Sequence, residues 1–250
     1  MIRLKNQSQL SLMRDAGRIT GEAILAAGEI IKPGVTTAQI DHVIRSYIEK
    51  CGASPTFLGY GGFPASACVS VNDEVIHGIP SLKRVLHEGD IVKIDVGACY
   101  RGFNGDSART FAVGKISREA ADLIRVTEES FYKALAVIHD GARIGDIGHA
   151  VDSHCRANGY SVVRKYVGHG VGAELHEDPE IPNFGTAGHG ARIIRGMTIA
   201  VEPMVNIGSH EVYELPDGWT VKTKDGSLSA HYEHTIAITD NGPELLTKVE

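Results

Sequence analysis

The segment Ile91–Phe111, IVKIDVGACYRGFNGDSARTF, most constrains the fold because it sets two aspartates inside two strand-like runs. Alternation along the first run puts Asp95 on the opposite face from Val96 and its apolar neighbours. A turn around Tyr100–Asn104 separates this run from the one that carries Asp106. Antiparallel pairing of the two runs would bring both carboxylates close together.

Two neighbouring carboxylates repel each other, and burial raises the cost of keeping both ionised. They must then share a proton or have a cation between them. On this segment alone, two solvated aspartates near a loop is an equally good interpretation. Three further residues favour a site, because each is a potential ligand in an apolar or glycine-rich run: His169 in GHGVG, Glu202 in AVEPM and Glu233 in AHYEHT.

The composition is that of a soluble globular protein large enough for one domain with a sizeable core. The 250 residues are 42% hydrophobic and 22% charged. A formal net charge of −6 argues against electrostatic binding to nucleic acid. No apolar run approaches a membrane span, no secretion signal opens the chain, and the four cysteines form no CxxC motif. We therefore expect a cytoplasmic protein that does not span a membrane.

Hydrophobic periodicity predicts two pairs of helices, each followed by strand-like sequence, and therefore an α+β fold. The predicted helices are 7–31, 37–51, 117–139 and 144–157, and the apolar face of the third includes Ile124. A shift of 107 residues superposes Gly34 on Gly141 and Ile40 on Ile147, which hints at a duplication with halves of about 1–115 and 116–250.

We expect the two halves to pack their sheets together with the candidate ligands between them. Asp225-Gly226 is a typical turn of a β-hairpin, so we also predict that the strands flanking it pair with each other.

Five residues form the candidate ligand set: Asp95, Asp106, His169, Glu202 and Glu233. If they converge, four carboxylates balance two divalent cations, whereas a single cation would leave negative charge uncompensated. Oxygen-rich ligation with one imidazole suits Mn²⁺, Fe²⁺ or Co²⁺. It selects zinc less exclusively than a site of cysteines and histidines would. Two such ions favour hydrolytic chemistry. The HExxH, Walker A and GxSxG motifs are absent.

Over its whole length the chain resembles the type I methionine aminopeptidases, which belong to the pita-bread metallopeptidase family. The motifs that carry the resemblance are SVNDEVIHGIP, IDVGACYRGFNGD, GHGVG with HEDP, AVEPM and YEHT. The resemblance implies a pita-bread fold and a single catalytic domain over residues 1–250. It also implies removal of the initiator methionine from nascent chains whose second residue is small.

The resemblance implies a role for each ligand residue. Asp95 would bind one metal ion alone, Asp106 and Glu233 would bridge both ions, and His169 and Glu202 would complete the shell of the second. Glu202 would also act as the general base. The implied cofactors are two divalent ions, chosen among Co²⁺, Mn²⁺, Fe²⁺ and Zn²⁺.

The resemblance also implies the substrate contacts. His77 and His176 would hydrogen-bond the scissile amide and stabilise the tetrahedral intermediate. The methionine pocket would consist of Phe57, Tyr60, Phe63, Cys68 and Trp219. Without the resemblance, we would interpret these aromatic residues as ordinary core.

Two positions depart from the family pattern. Leu175 stands where many members carry Phe, and His231 stands where many carry Gln. Asn72 and Ser229 match positions that hold a monovalent cation in some members, so such a cation is a further expected cofactor.

Two alternatives stay open. The same five ligands serve Xaa-Pro peptidases, although those enzymes usually carry an extra N-terminal domain, and we expect none here. Some pita-bread proteins only bind partners, but we expect those to have lost ligands. We expect the protein to be a monomer that acts on nascent polypeptides and to have no membrane partner. Docking to the ribosome would suit this activity, although the sequence contains no basic patch that indicates it.

Overall fold

The computed structural model describes residues 1–249 and contains four α-helices, one short 3-10 helix at Tyr60–Gly62 and fifteen strands in that range. The helices are α1 Gln7–Gly28, α2 Thr37–Lys50, α3 Arg118–Leu135 and α4 Ile144–Ala157. The strands are β1 Ser54–Pro55, β2 Ala67–Val71, β3 Glu74–Ile76, β4 Ile91–Tyr100, β5 Phe103–Ala112, β6 Ser161–Val162, β7 Gly168–Gly170, β8 Glu177–Ile181, β9 Thr198–Val201, β10 Met204–Asn206, β11 Val212–Glu214, β12 Val221–Thr223, β13 Ser229–His231, β14 Glu233–Thr239 and β15 Gly242–Leu245.

Three of the four α-helices begin directly after a residue whose side chain caps them. Asn6 caps α1, Thr36 caps α2 and Ser117 caps α3, each through a side-chain oxygen that accepts a backbone N–H of the first turn. Helix α4 has the predicted bounds.

Helices α1 and α3 end earlier than the periodicity predicts. After α1, the backbone N–H groups of Ile30 and Ile31 donate to carbonyls three residues back, so the last turn tightens and the α-helix stops at Gly28. The same tightening ends α3 at Leu135 instead of His139. In α3, Leu123 is fully buried and Ile124 only partly so.

Nine strands form one sheet, in the order β1-β4-β5-β14-β9-β7-β8, with β2 added beside β4 and β15 beside β14. The β5–β14 pairing joins the strands of the first half to those of the second, with Ser107 opposite His234. The expectation of two sheets packed against each other is therefore wrong: the halves join edge to edge in one sheet.

The helices cover the face of the sheet that points away from Asp95. Helices α1 and α2 pack on the apolar side of β4 in a core that includes Ile19, Ile44, Val92, Ile94 and Val96. Helix α1 lies almost flush on β5, since a Cβ on Gly105 would come within 2.7 Å of the Gly17 Cα. Helices α3 and α4 pack against the second half in a core that includes Leu123, Phe131, Ile147 and Ile236.

The Asp225-Gly226 turn is present, with φ of 74° at Gly226, but it does not join a hairpin. Strand β12 before it pairs with β11 and β3, while β13 after it pairs with β10. The hairpin prediction is wrong because these short strands have better partners elsewhere in the chain. Within residues 1–249, no helix is both long and apolar enough to cross a membrane.

Candidate metal centre and substrate pocket

One cavity of about 140 Å³ opens on the uncovered side of the sheet, and every predicted metal ligand and substrate-contact residue lines it. Its lining is Phe57, Tyr60, Phe63, Cys68, His77, Asp95, Asp106, His169, Leu175, His176, Glu202, Trp219 and Glu233. The potential ligands and the aromatic residues therefore share one space.

The β4–β5 hairpin sets the first two carboxylates. In its register, Asp95 lies opposite Ala108 and Asp106 lies opposite Gly97, so the aspartates are diagonal neighbours on one face. On the other side of β4, Cys68 lies opposite Asp95, which puts a thiol beside the carboxylates. Regular strand pairing alone therefore produces the acidic cluster.

Three later segments bring the other candidate ligands to the hairpin. His169 lies on β7, Glu202 directly follows β9, and Glu233 begins β14. The Nε2 atom of His169 is 3.6 Å from Asp106 Oδ2 and 3.5 Å from Glu202 Oε1. Ligand atoms of Asp106, His169 and Glu233 all lie within 4.8 Å of one another.

The ring of His169 has the tautomer that a metal ligand needs. Its Nδ1 lies 2.9 Å from the carbonyl oxygen of Gly170, and a carbonyl can only accept, so Nδ1 carries the hydrogen. The bare Nε2 lone pair then faces the carboxylates. A backbone carbonyl that fixes the far nitrogen in this way is a common feature of metal-binding histidines.

Burial makes the carboxylates hard to ionise together. It raises the pKa of Asp95, Glu202 and Glu233 well above the usual range, and neighbouring carboxylates raise it further. Burial also raises the pKa of Asp106 to about 7. The pKa of His169 falls to about 4 through burial and through the nearby His176, so this ring is neutral at pH 7.

Divalent cations fit this donor set. Within residues 1–249, Asp95 Oδ1 and Asp106 Oδ1 are buried without any hydrogen-bond partner, which is costly for carboxylate oxygens. A cation would satisfy these oxygens and would favour the ionised form of all four carboxylates. The assignment of individual ligands to individual ions stays a prediction.

His77 follows β3 in a left-handed backbone conformation, with φ of 58°. Such a conformation costs a non-glycine residue about 1–3 kcal/mol and is found mostly where function requires it. The next residue, Gly78, packs so tightly on β2 that a Cβ would lie 2.5 Å from the carbonyl oxygen of Val69. The His77 ring meets Tyr166 edge-on, with ring centroids 5.8 Å apart.

His176 lies directly before β8 and stacks at a tilt over His169, with ring centroids 4.2 Å apart. Its Nδ1 is 2.7 Å from the hydroxyl of Tyr60. Burial lowers the pKa of His176, and it lowers the pKa of His77 to about 4. Both rings are therefore neutral donors or acceptors at pH 7.

The apolar part of the cavity is a cluster formed by Phe57, Phe63, Ala65, Cys68 and Leu175, with Trp219 packed against it. The rings of Phe63 and Trp219 meet edge-on, with centroids 5.1 Å apart. Gly97 makes room for Phe57, since a Cβ there would lie 2.7 Å from the Phe57 ring. Tyr60 is 44% exposed and forms the rim.

Asn72 and Ser229 are in contact, but the space beside them is already taken. The Asn72 carbonyl accepts the Ser229 N–H at 3.1 Å and the Nζ of Lys93 at 2.7 Å. Lys93 is 1% exposed. A monovalent cation at this carbonyl would have to displace the Lys93 amino group, so these residues do not fit that expected cofactor.

Sequence reasoning missed two supporting residues. Asn183 is fully buried, and its side-chain amide donates to the Glu202 carbonyl at 2.9 Å, which fixes the backbone that carries this candidate ligand. Tyr166 supports His77 as described above. Both lie close in sequence to the glycine and histidine motifs, but nothing in a single sequence distinguishes them from ordinary core residues.

Comparison with known proteins shows which family the chain resembles. Residues 11–240 match the metallopeptidase family M24. A methionine aminopeptidase from Clostridium acetobutylicum is 54% identical over 250 residues, with both chains covered completely. The crystal structure of methionine aminopeptidase from Thermotoga maritima superposes with a TM-score of 0.98 at 46% identity, again over 100% of each chain.

A prolidase from Pyrococcus furiosus shares the fold at a TM-score of 0.78 and 24% identity, over 99% of this chain and 66% of that one. Together with the Thermotoga structure, this likeness confirms the predicted α+β pita-bread fold.

Proposed function

The chain belongs to metallopeptidase family M24, and we propose that it is a methionine aminopeptidase that removes N-terminal methionine from polypeptides. The family resemblance read from the motifs is thereby confirmed. The observation that best supports this activity is the shared cavity, where buried carboxylates and imidazoles adjoin an apolar, sulfur-containing pocket. We further propose that the chain is a single catalytic domain built from two duplicated halves.

We propose that two divalent ions are bound by Asp95, Asp106, His169, Glu202 and Glu233, with the ions drawn from Co²⁺, Mn²⁺, Fe²⁺ and Zn²⁺. The charge balance between four carboxylates and two ions supports this number. Bound ions would supply Lewis acidity to the scissile carbonyl and make a water molecule nucleophilic at neutral pH.

The residues of the chain then handle substrate and proton. Glu202 accepts the proton of the attacking water on a carboxylate oxygen and returns it to the departing amine nitrogen as the C–N bond breaks. The 3.5 Å approach of its Oε1 to His169 supports a position beside the reacting groups.

Neutral His77 and His176 suit hydrogen bonding to the scissile amide and to the developing oxyanion. If the Tyr60 hydroxyl donates to Nδ1 of His176, the Nε2 of that ring carries the hydrogen and can donate to substrate. This arrangement supplies a donor without adding charge to the pocket.

The apolar cluster suits a methionine side chain, because a thioether is polarisable and packs well against aromatic edges. We propose Phe57, Tyr60, Phe63, Cys68 and Trp219 as the methionine contacts, with Leu175 as a sixth wall residue. Leu175 is 4% exposed and belongs to the same cluster.

On this proposal the natural substrates are nascent polypeptides whose second residue is small, and a monomer cleaves them in the cytoplasm. Docking to the ribosome would suit this activity, although no basic patch supports it. A monovalent cation is not part of the proposal, because Lys93 occupies the Asn72 carbonyl.

A substrate panel tests the activity against the Xaa-Pro alternative. The metal-free protein is titrated with Mn²⁺ or Co²⁺, and release of the first residue is followed with Met-Ala-Ser and with Ala-Pro-Ala. Metal-dependent release of methionine from the first peptide is expected. Faster cleavage of Ala-Pro-Ala would establish the alternative, and no turnover of any N-terminal Met peptide by metal-loaded protein would favour a binding protein.

A further inference from the structure

His231 lies at the edge of the metal centre, and its direction is fixed by the backbone. It is the last residue of β13 and pairs with Met204 of β10. Met204 is two residues after Glu202 in the chain. Its backbone N–H donates to the hydroxyl oxygen of Thr110 at 2.9 Å, and its carbonyl accepts from that hydroxyl at 2.8 Å. The strand breaks at Tyr232, and Glu233 begins the next strand.

The imidazole of His231 is buried without a hydrogen-bond partner. Its side chain is 2% exposed, and neither ring nitrogen has a partner among residues 1–249. Buried polar groups are almost always hydrogen-bonded, so two unpaired nitrogens on one ring call for an explanation. Nε2 lies 4.0 Å from Glu202 Oε2 and 3.9 Å from Glu233 Oε2.

The two oxygens of Glu202 face different histidines. Oε1 is 3.5 Å from His169 Nε2, which carries no hydrogen, whereas Oε2 faces His231. His231 is therefore the ring that can offer an N–H to this carboxylate. The 4.0 Å separation is longer than a normal hydrogen bond, so the two side chains must approach each other by about 1 Å for one to form.

We propose that His231 is a positioning residue of the metal centre, which donates its Nε2–H to Glu202 Oε2 and so directs Oε1 toward the cation. This rests on the proposed function, since it requires that Glu202 is a metal ligand. Donors that orient ligating carboxylates typically change metal affinity by about 10–100-fold when removed. In this role His231 does not contact the substrate and acts only through Glu202.

The test compares His231→Leu, which removes the donor, with His231→Gln, which keeps an N–H at similar reach. The metal-free proteins are titrated with Mn²⁺ by calorimetry, and the Tm of each metal-free protein is measured. The Leu variant should bind Mn²⁺ about 10–100-fold more weakly, and the Gln variant within about threefold of wild type. The Tm of the metal-free Leu variant should equal or exceed that of wild type, because an unpaired buried polar group is removed.

Wild-type affinity in the Leu variant would overturn the proposal, because the ring would then only fill space. Equal loss in the Gln and Leu variants would overturn it too, since the ring and not the donor would matter. The titration of wild type distinguishes failure of the His231 proposal from failure of the proposed function. If wild-type protein binds no Mn²⁺, the five residues are not a metal centre.

Discussion

Removing one buried carboxylate should stabilise the metal-free protein, and Asp106→Asn is the sharpest case. Burial raises the pKa of Asp106 to about 7, against 3.8 in an unfolded chain. At about 1.4 kcal/mol per pKa unit, three units correspond to roughly 4 kcal/mol against the metal-free fold. The folded carboxyl keeps a proton that the unfolded chain releases. The free energy of unfolding of the metal-free protein therefore falls by this amount as pH rises from about 4 to 7.

Thermal unfolding after exhaustive chelation measures the effect. For a chain of this size, 1 kcal/mol shifts the Tm by about 2–4 °C. The Tm of metal-free wild type should therefore fall by several degrees between pH 5 and pH 8. The Tm of Asp106→Asn should fall by less, and at pH 8 it should be higher than that of wild type. Saturating Mn²⁺ should reverse the order, because the variant lacks a ligand.

Asp240→Asn is the matched control, since this aspartate is exposed and should change stability by less than about 0.5 kcal/mol. A lower Tm for metal-free Asp106→Asn than for wild type at pH 8 would refute the reasoning. The carboxylates would then stabilise one another without a cation, through shared protons or hydrogen bonds.

Three further predictions follow from single contacts. Gly97→Ala pushes the Phe57 ring out of the pocket wall, so KM for Met-Ala-Ser should rise by about tenfold while kcat changes less; an unchanged KM in steady-state kinetics would remove Phe57 from the pocket. Replacing KCl by choline chloride should leave the Tm of wild type within about 1 °C, because Lys93 already occupies the Asn72 carbonyl and no bound cation is lost; a drop of several degrees would contradict this. Ile44→Ala, at a fully buried position of α2, should cost about 2–5 kcal/mol in urea unfolding, and a cost below about 1 kcal/mol would contradict the packing described.

Local sequence patterns predicted the parts of the fold that depend on neighbours in the chain. The β4–β5 hairpin follows from alternation around Asp95 and Asp106, and α4 follows from its hydrophobic periodicity. The ends of α1 and α3 were less predictable, because a switch to tighter hydrogen bonds leaves the apolar pattern unchanged.

Contacts between distant segments were beyond periodicity. The β5–β14 pairing joins residues more than a hundred positions apart, and the sequence of neither strand indicates which strand it pairs with. The approach of Lys93 to the Asn72 carbonyl and the unpaired ring of His231 likewise depend on three-dimensional packing. For the candidate site, the residue types gave the five candidate ligands and favoured cations, while the role of each ligand and the substrate contacts came from the family resemblance.

The most direct test of the central claim is one titration of chelated protein with Mn²⁺, with calorimetry and methionine release from Met-Ala-Ser followed together, for wild type and Glu202→Gln. Release should be absent without metal, appear as about two ions bind per chain, and fall by about a hundredfold or more in the variant. Methionine release by the chelated protein, or undiminished release by Glu202→Gln, would contradict the account.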